Sequence, residues 1–284
     1  NVNLMKIFNS LSYPWLKIKN LYPVTCCICL GKNKQEKISQ FKLNKKNFSI
    51  MRCSKDKLMY LSPQPGKDYC NSLYNHPTYF KGTNDMYGLL INENKAKKIA
   101  KIRINELQQY APKANSIFEI GCAHGHLLKE AKKQNFSIIK GIEFSKKGVQ
   151  ICQNKNLNVK QEDINNLSIK NINEKFDIVA AYSVLEHLNN PCNFLFKIKK
   201  FIKPKGLLVI RIPETDPIKG PNLSLLDHFW HFTKISIQKI MNKNEFKIKD
   251  IFESGTFYST QSQNKIKNIT IIAEQKNFKN TILN

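Results

Sequence analysis

From residue 91 onward, apolar runs of strand length alternate with amphipathic runs of helical length. That alternation constrains the fold more than any other feature of the 284-residue chain. A strand over 116–121 precedes a helix over 126–134, and a strand over 137–144 precedes a helix over 146–154. A short strand over 159–162 follows, then a strand over 176–183, a helix over 192–202, a strand over 206–213 and a helix over 234–244. Strands separated by crossover helices lie parallel, with the helices on both faces of the sheet. The last two strands, 248–253 and 267–274, have no helix between them and predict an antiparallel hairpin at one edge. Ahead of the sheet a helix is predicted over 91–110, with Ile91, Ile99, Ile102 and Leu107 on its apolar face and Pro112 beyond its end. The fold class is therefore α/β, Rossmann-like and mostly parallel.

Composition excludes several other classes. The apolar share is 41%, below the usual roughly 45–50% but well above that of a disordered chain. No window approaches the ~18 uninterrupted apolar residues of a membrane span. Lys6, Asn9, Lys17 and Lys19 interrupt every apolar run near the N-terminus, so neither an integral membrane protein nor a secretory leader is expected, and the expected location is cytoplasmic. The 46 basic residues against 21 acidic give +25, yet Arg52, Arg103 and Arg211 are the only arginines. Arginine is the residue suited to bidentate phosphate recognition, so the excess reads as a solvated lysine coat. It would attract anionic substrates; no specific nucleic-acid partner is expected.

Ahead of this region the chain reads as a small module. Residues 1–25 form an extension without clear periodicity, residues 26–80 are short, turn-rich and cysteine-bearing, and residues 276–284 form a frayed tail. Five of the eight cysteines (26, 27, 29, 53 and 70) fall in the first 70 residues. With no export context, such clustering suggests a metal before it suggests disulfides.

The chemistry is concentrated at strand ends. In Phe118-Glu-Ile-Gly-Cys-Ala-His-Gly-His126, Gly121 and Gly125 flank small Ala123 at a strand-to-helix junction, where the backbone can approach a ligand closely. The dinucleotide fingerprint would need a small residue where His126 stands. Glu143 closes the second strand, where a carboxylate can accept both hydroxyls of a ribose, and Phe144 can lie against the adenine. Asp163, at the end of the third strand, is placed to accept from the adenine amino group. Glu119, Glu143 and Asp163 thus converge on the crevice where open α/β sheets bind ligands.

On these residues the chain resembles the class I S-adenosylmethionine (SAM)-dependent methyltransferases across residues 91–275. The glycine motif departs from the family pattern only at Ala123. The resemblance implies SAM as methyl donor, held by Glu119, Gly121, Ala123, Gly125, Glu143, Phe144 and Asp163. It also implies the seven-strand order 3-2-1-4-5-7-6 with the last strand antiparallel. Asp177-Ile-Val-Ala-Ala-Tyr-Ser-Val-Leu-Glu-His-Leu188 is similar to the fourth strand and the loop facing donor and acceptor, which places Ser183 at the donor. The N-terminal segment resembles a zinc-binding module found ahead of some sugar methyltransferases. It departs where the fourth cysteine is Asp56 and the following glycine is Lys57. The implied zinc ligands are Cys26, Cys29, Cys53 and Asp56, with Cys27, Cys70 or His76 as substitutes; a decayed site without metal is the alternative.

The expected acceptor is a small-molecule or sugar-like hydroxyl, possibly nucleotide-linked. The alternatives are an RNA or protein methyltransferase and a non-catalytic adenosine-binding scaffold. A hydroxyl acceptor needs a base, and histidine suits the task near pH 7. His187, His228 and His231 belong to segments expected at the carboxyl-end crevice, with His228 favoured. His124 and His126 border the donor and read as solvent-facing turn residues. Phe229, Trp230 and Phe232 read as core.

Overall fold

The computed structural model describes residues 13–77, 93–166, 174–216, 227–259 and 264–276. Residues 1–12 of the extension, Ile91 of the expected first helix and residues 277–284 of the tail lie outside the described residues.

The N-terminal part contains β1 (Leu21–Tyr22), β2 (Gln35–Leu43), β3 (Lys46–Cys53), β4 (Met59–Ser62), β5 (Gln64–Pro65) and α1 (Lys67–Tyr74). The α/β part follows with α2 (Glu93–Tyr110), β6 (Ser116–Ile120), α3 (His126–Lys133), β7 (Ile138–Glu143), α4 (Lys146–Asn154) and β8 (Val159–Gln161). It continues with β9 (Phe176–Tyr182), α5 (Pro191–Ile198), β10 (Ile202–Pro213), β11 (Trp230–His231), α6 (Lys234–Lys243), β12 (Phe246–Ser259) and β13 (Asn264–Gln275). One seven-stranded sheet runs β12-β13-β10-β9-β6-β7-β8, which is the expected order 3-2-1-4-5-7-6. Strands β6 to β10 pair in parallel, and β13 is antiparallel to both of its neighbours.

Strand alternation divides the core between the two faces of this sheet. Ile117, Ile178, Ala180 and Val209 pack with Ile104, Leu107, Leu127 and Val149 from α2, α3 and α4. Phe118, Val179, Leu208 and Ile210 pack with Phe194, Ile198, Ile237 and Ile240 from α5 and α6. The face of α2 is rotated from the expected one. Ala100, Ile104 and Leu107 are buried, while Ile99 and Ile102 are 37% and 48% exposed. Ile99 is left uncovered because it borders the cavity described below.

The N-terminal segment is less separate than the sequence suggests. Strands β2, β3 and β4 form a meander whose sheet is completed by β11, with Trp230 opposite Tyr60 and His231 opposite Met59. Phe229, Trp230 and Phe232 are buried in this junction, in one core with Cys26, Tyr60 and Tyr69. Two residues far along the chain thus belong to the small sheet, and the two parts share a hydrophobic core.

Candidate active site

A cavity of about 300 Å³ opens at the carboxyl ends of the strands, beside the point where β6 separates β7 from β9. In open α/β sheets this switch point is where ligands bind. Glu119, Gly121, Ala123, Glu143, Phe144, Asp163, Ser183 and His187 all line it. Gly125 is buried beside the cavity, where an added Cβ would meet Leu157 at 2.5 Å.

The donor end is held by its backbone. Gly121 and Gly125 have φ of +70° and +69°, and Ala123 between them is left-handed at +48°. A Cβ on Gly121 would lie 2.7 Å from Val184 Cγ2. Ala123 therefore keeps the glycine conformation of the motif at a strain cost of about 1–2 kcal/mol. Glu143 ties the turn down: its Oε2 accepts from Ala123 N at 2.9 Å and its Oε1 from Ser145 N at 2.8 Å. Burial pushes its carboxyl above the ordinary range, against those N–H groups. Each oxygen keeps a second lone pair for a ribose hydroxyl. Glu119 is 5% exposed, and its Oε2 has no hydrogen-bond partner among the described residues. Burial pushes it well above the usual carboxylate range, against the opposing pull of Arg103. A buried, unsatisfied carboxylate beside a glycine cradle fits a cationic ammonium group on an adenosine ligand. Asp163 lies two residues beyond the end of β8, not at its last position, and Lys67 approaches it to 3.6 Å.

His124 and His126 are not solvent-facing. Both line the cavity. Burial holds His124 down to about 4 and lowers His126, so both are neutral near pH 7. Helix α2 closes over the turn here, bringing Glu93 to 3.4 Å from His126 Nε2.

The His187 end of the cavity assembles from distant segments. His187 follows β9, and its Nδ1 is 2.8 Å from the Asp227 carbonyl oxygen. A carbonyl only accepts, so Nδ1 carries a proton, and in the neutral tautomer this selects it is Nε2 that has the lone pair. Glu186 is 1% exposed, with Oε1 3.8 Å from that Nε2 and neither carboxyl oxygen hydrogen-bonded among the described residues. Burial pushes its carboxyl up to about 7, with His187 opposing. The His228 ring packs edge-on against His187 at 4.8 Å. The ligand atoms of Glu186, His187 and His228 lie within 4.8 Å of one another. Of the three candidate bases, His187 lines the cavity wall and His228 stands behind it. His231, 2% exposed, is committed to the β11–β4 pairing.

Three wall residues escaped the sequence reading. Tyr74 comes from α1, and it packs against Phe144 at 5.6 Å and His187 at 6.3 Å. Arg103 and Arg211 are two of the chain's three arginines, and their rarity among 46 basic residues was the available signal.

Away from the cavity, the cysteine cluster has the form expected of a metal site. Ligand atoms of Cys26, Cys29, Cys53 and Asp56 lie within 4.8 Å of one another. Cys29 and Cys53 sulfurs are 3.8 Å apart, and Asp56 Oδ2 is 3.6 Å from Cys26 Sγ and 3.2 Å from Cys53 Sγ. A tetrahedral zinc with Zn–S near 2.3 Å has S···S edges of about 3.8 Å, so the donor set fits that ion. Burial opposes the Asp56 carboxylate, but hydrogen bonds from Lys239, Cys53 and Cys29 hold it down to about 2. Lys57, at the position of the module's glycine, is left-handed at φ +58°. The substitutes lie elsewhere: Cys70 lines the cavity and His76 stacks on Trp15 at 4.0 Å, while Cys27 engages Cys192.

A parallel α/β sheet with a glycine turn and buried acids at its switch point defines a nucleoside-binding protein of the Rossmann-like class. Residues 91–251, more than half of the chain, match the sequence family described as "Methyltransferase domain". The chain belongs to the class I SAM-dependent methyltransferase family. It is similar to a ubiquinone biosynthesis O-methyltransferase of Coxiella burnetii, 30% identical over 107 residues, which cover 36% of this chain and 44% of that one. A ribosomal protein L11 methyltransferase of Dictyoglomus thermophilum is 27% identical over 171 residues, or 57% of this chain and 48% of the other. The chain therefore spans half or less of the length of these curated relatives. The solved magnesium protoporphyrin IX methyltransferase of Synechocystis PCC 6803, with bound S-adenosylhomocysteine (SAH), shares the fold at a TM-score of 0.52 and 14% identity. That likeness covers 73% of this chain and 99% of the other. No helix among the described residues is long and apolar enough to cross a membrane.

Proposed function

We propose that the protein transfers a methyl group from SAM to a hydroxyl of a small molecule, with His187 as the base. The observation that carries this reading is the placement of His187, with its Nε2 lone pair available, in the same cavity as the Gly121 turn. SAM, when bound, supplies an electrophilic methyl on a sulfonium. Glu143 would accept the ribose hydroxyls, Phe144 would flank the adenine and Asp163 would accept from its amino group. Glu119 would take the ammonium and Arg103 the carboxylate of the amino-acid end. Ser183 would stand at the methyl end of the donor.

His187 Nε2 would take the proton of the acceptor hydroxyl, while SAM would supply the methyl and leave as SAH, its sulfur keeping the electron pair of the broken S–CH3 bond. Glu186, 3.8 Å away, then faces an imidazolium instead of a neutral ring. His228 and the Asp227 carbonyl keep the ring from turning. Tyr74 and Leu188 close the wall against water.

Within small molecules, a sugar-like or nucleotide-linked acceptor is favoured by the N-terminal likeness, whereas the Coxiella relative is named for a quinone pathway. The test is incubation with labelled SAM and separate acceptor sets: nucleoside-diphosphate sugars, hydroxylated aromatics, RNA and ribosomal protein. A methyl ether on a small molecule is expected. Label found only on RNA or protein would replace this reading with the macromolecular alternative.

The reading extends to the cysteine cluster, where Cys26, Cys29, Cys53 and Asp56 would hold a structural zinc, tying the β3–β4 turn to the preceding knuckle. Protein purified without chelators should carry close to one equivalent, and chelation should loosen the N-terminal segment first. Metal-free protein with an unchanged fold would show the decayed alternative.

A further inference from the structure

Two guanidinium groups share one wall of the cavity. Arg103 reaches it from α2 and lies over the Tyr182 ring, 4.1 Å from the centroid. Arg211 reaches it from β10, and its Nη1 donates to Ser183 Oγ at 3.0 Å. Among the described residues Arg52 is the one arginine in a salt bridge, with Glu36 at 3.0 Å. Among the described residues, neither cavity arginine has a carboxylate within 4.0 Å.

A guanidinium has five N–H donors, and one neutral hydroxyl satisfies only one of them. Burial, and then the like charge of Arg103, push the Arg211 pKa down to about 10. Two cations on one desolvated wall, neither in a salt bridge among the described residues, are under-compensated. A chain that otherwise uses lysine almost throughout places its rigid planar forks here. That geometry suits two-point binding of a carboxylate or phosphate.

The donor brings one carboxylate, and Arg103, electrostatically coupled to Glu119, is placed to take it. Arg211 then remains, on the side of Ser183 and coupled to Glu186 beside the proposed base. We propose that Arg211, oriented by Ser183, binds an oxyanion carried by the methyl acceptor, a carboxylate or a phosphate, next to the hydroxyl that His187 deprotonates. This rests on the reading of the cavity as a SAM site. It narrows the acceptor to an anionic small molecule, which the chain's +25 would also draw in.

The experiment titrates the full-length chain, saturated with SAH, with inorganic phosphate and separately with acetate, by calorimetry at low salt. Wild type should bind at least one of the two, phosphate pointing to a phosphorylated acceptor and acetate to a carboxylated one. Arg211→Met should weaken that binding at least tenfold and Arg211→Lys about threefold, because lysine keeps the charge but loses the fork. Both variants should keep SAH affinity within twofold, whereas Arg103→Met should lose SAH affinity and keep the anion. Should Arg211→Met not fold, Arg211→Lys carries the same comparison. Anion binding indifferent to both Arg211 variants would overturn the proposal. So would a tenfold loss of SAH affinity in them with 5′-methylthioadenosine affinity unchanged, since Arg211 would then hold the donor's own carboxylate. Arg211-dependent anion binding by a chain with no affinity for SAH would leave the anion subsite standing and remove the donor reading.

Discussion

Glu143, which lines the cavity, and Glu186, which lies beside the cavity residue His187, are both buried carboxyls, and they are treated oppositely. Glu143 accepts two backbone N–H groups, one from the glycine turn and one from the start of α4, and so is part of the local chain geometry. Among the described residues Glu186 has no hydrogen bond to either oxygen, and it faces a histidine ring held by a segment forty residues on. The donor end is built from the backbone within strand–turn–helix units. The end proposed for the acceptor is walled by side chains from α1, the loop after β9 and the end of β10, with the 227–231 segment packed behind them. An end fixed by backbone suits a constant ligand, whereas one assembled from side chains can be changed residue by residue to suit an acceptor.

The sharpest way to break this division is to replace His187. His187→Ala should lower kcat by roughly 10²–10⁴ once an acceptor is known, with SAH affinity nearly intact. Near wild-type turnover would mean that the acceptor end works by positioning alone.

Glu143→Ala should do the reverse. It should weaken SAH by about 1.5–3 kcal/mol, the range of hydrogen bonds to a charged group. An unchanged affinity would remove the carboxylate from the donor site.

The smallest effect concerns Glu186 and stability. Its pKa is about 7 in the folded chain, against about 4.3 in an unfolded one. The folded state therefore binds the proton more tightly, and stability falls as pH rises from about 4 to about 7. Glu186→Gln should match wild type near pH 4 in denaturant titrations and exceed it at pH 8, on the order of 1–2 kcal/mol. Equal stability at both pH values would show that Glu186 is compensated after all.

The same division explains what could be read from the sequence. The Gly121 turn and the acids Glu119 and Glu143 each sit within a few residues of a strand end, so periodicity locates them, whereas the strand order is what the family resemblance implies. Helix α1 follows Pro63, Pro65 and Gly66, whose turn signals mask eight helical residues, and Tyr74 went unseen with it. Strand β11 has only two residues and exists because Tyr60 and Met59 offer it an edge. His187 rather than His228 reaches the cavity because Trp230 Nε1 donates to the Leu188 carbonyl and Phe229 N to that of Glu186, fastening the 227–231 segment behind the loop. These are long-range contacts that no local pattern encodes. The arginine pair was visible as a count and became a site only when the fold brought residues 103 and 211 together.

What the Gly121 end binds separates a SAM site from a dinucleotide site. Calorimetry of the full chain with SAH and, separately, with NAD measures it. Binding of SAH at micromolar strength or tighter, with no heat from NAD, is the expected result. Equal binding of the two ligands, or none of SAH, would contradict it.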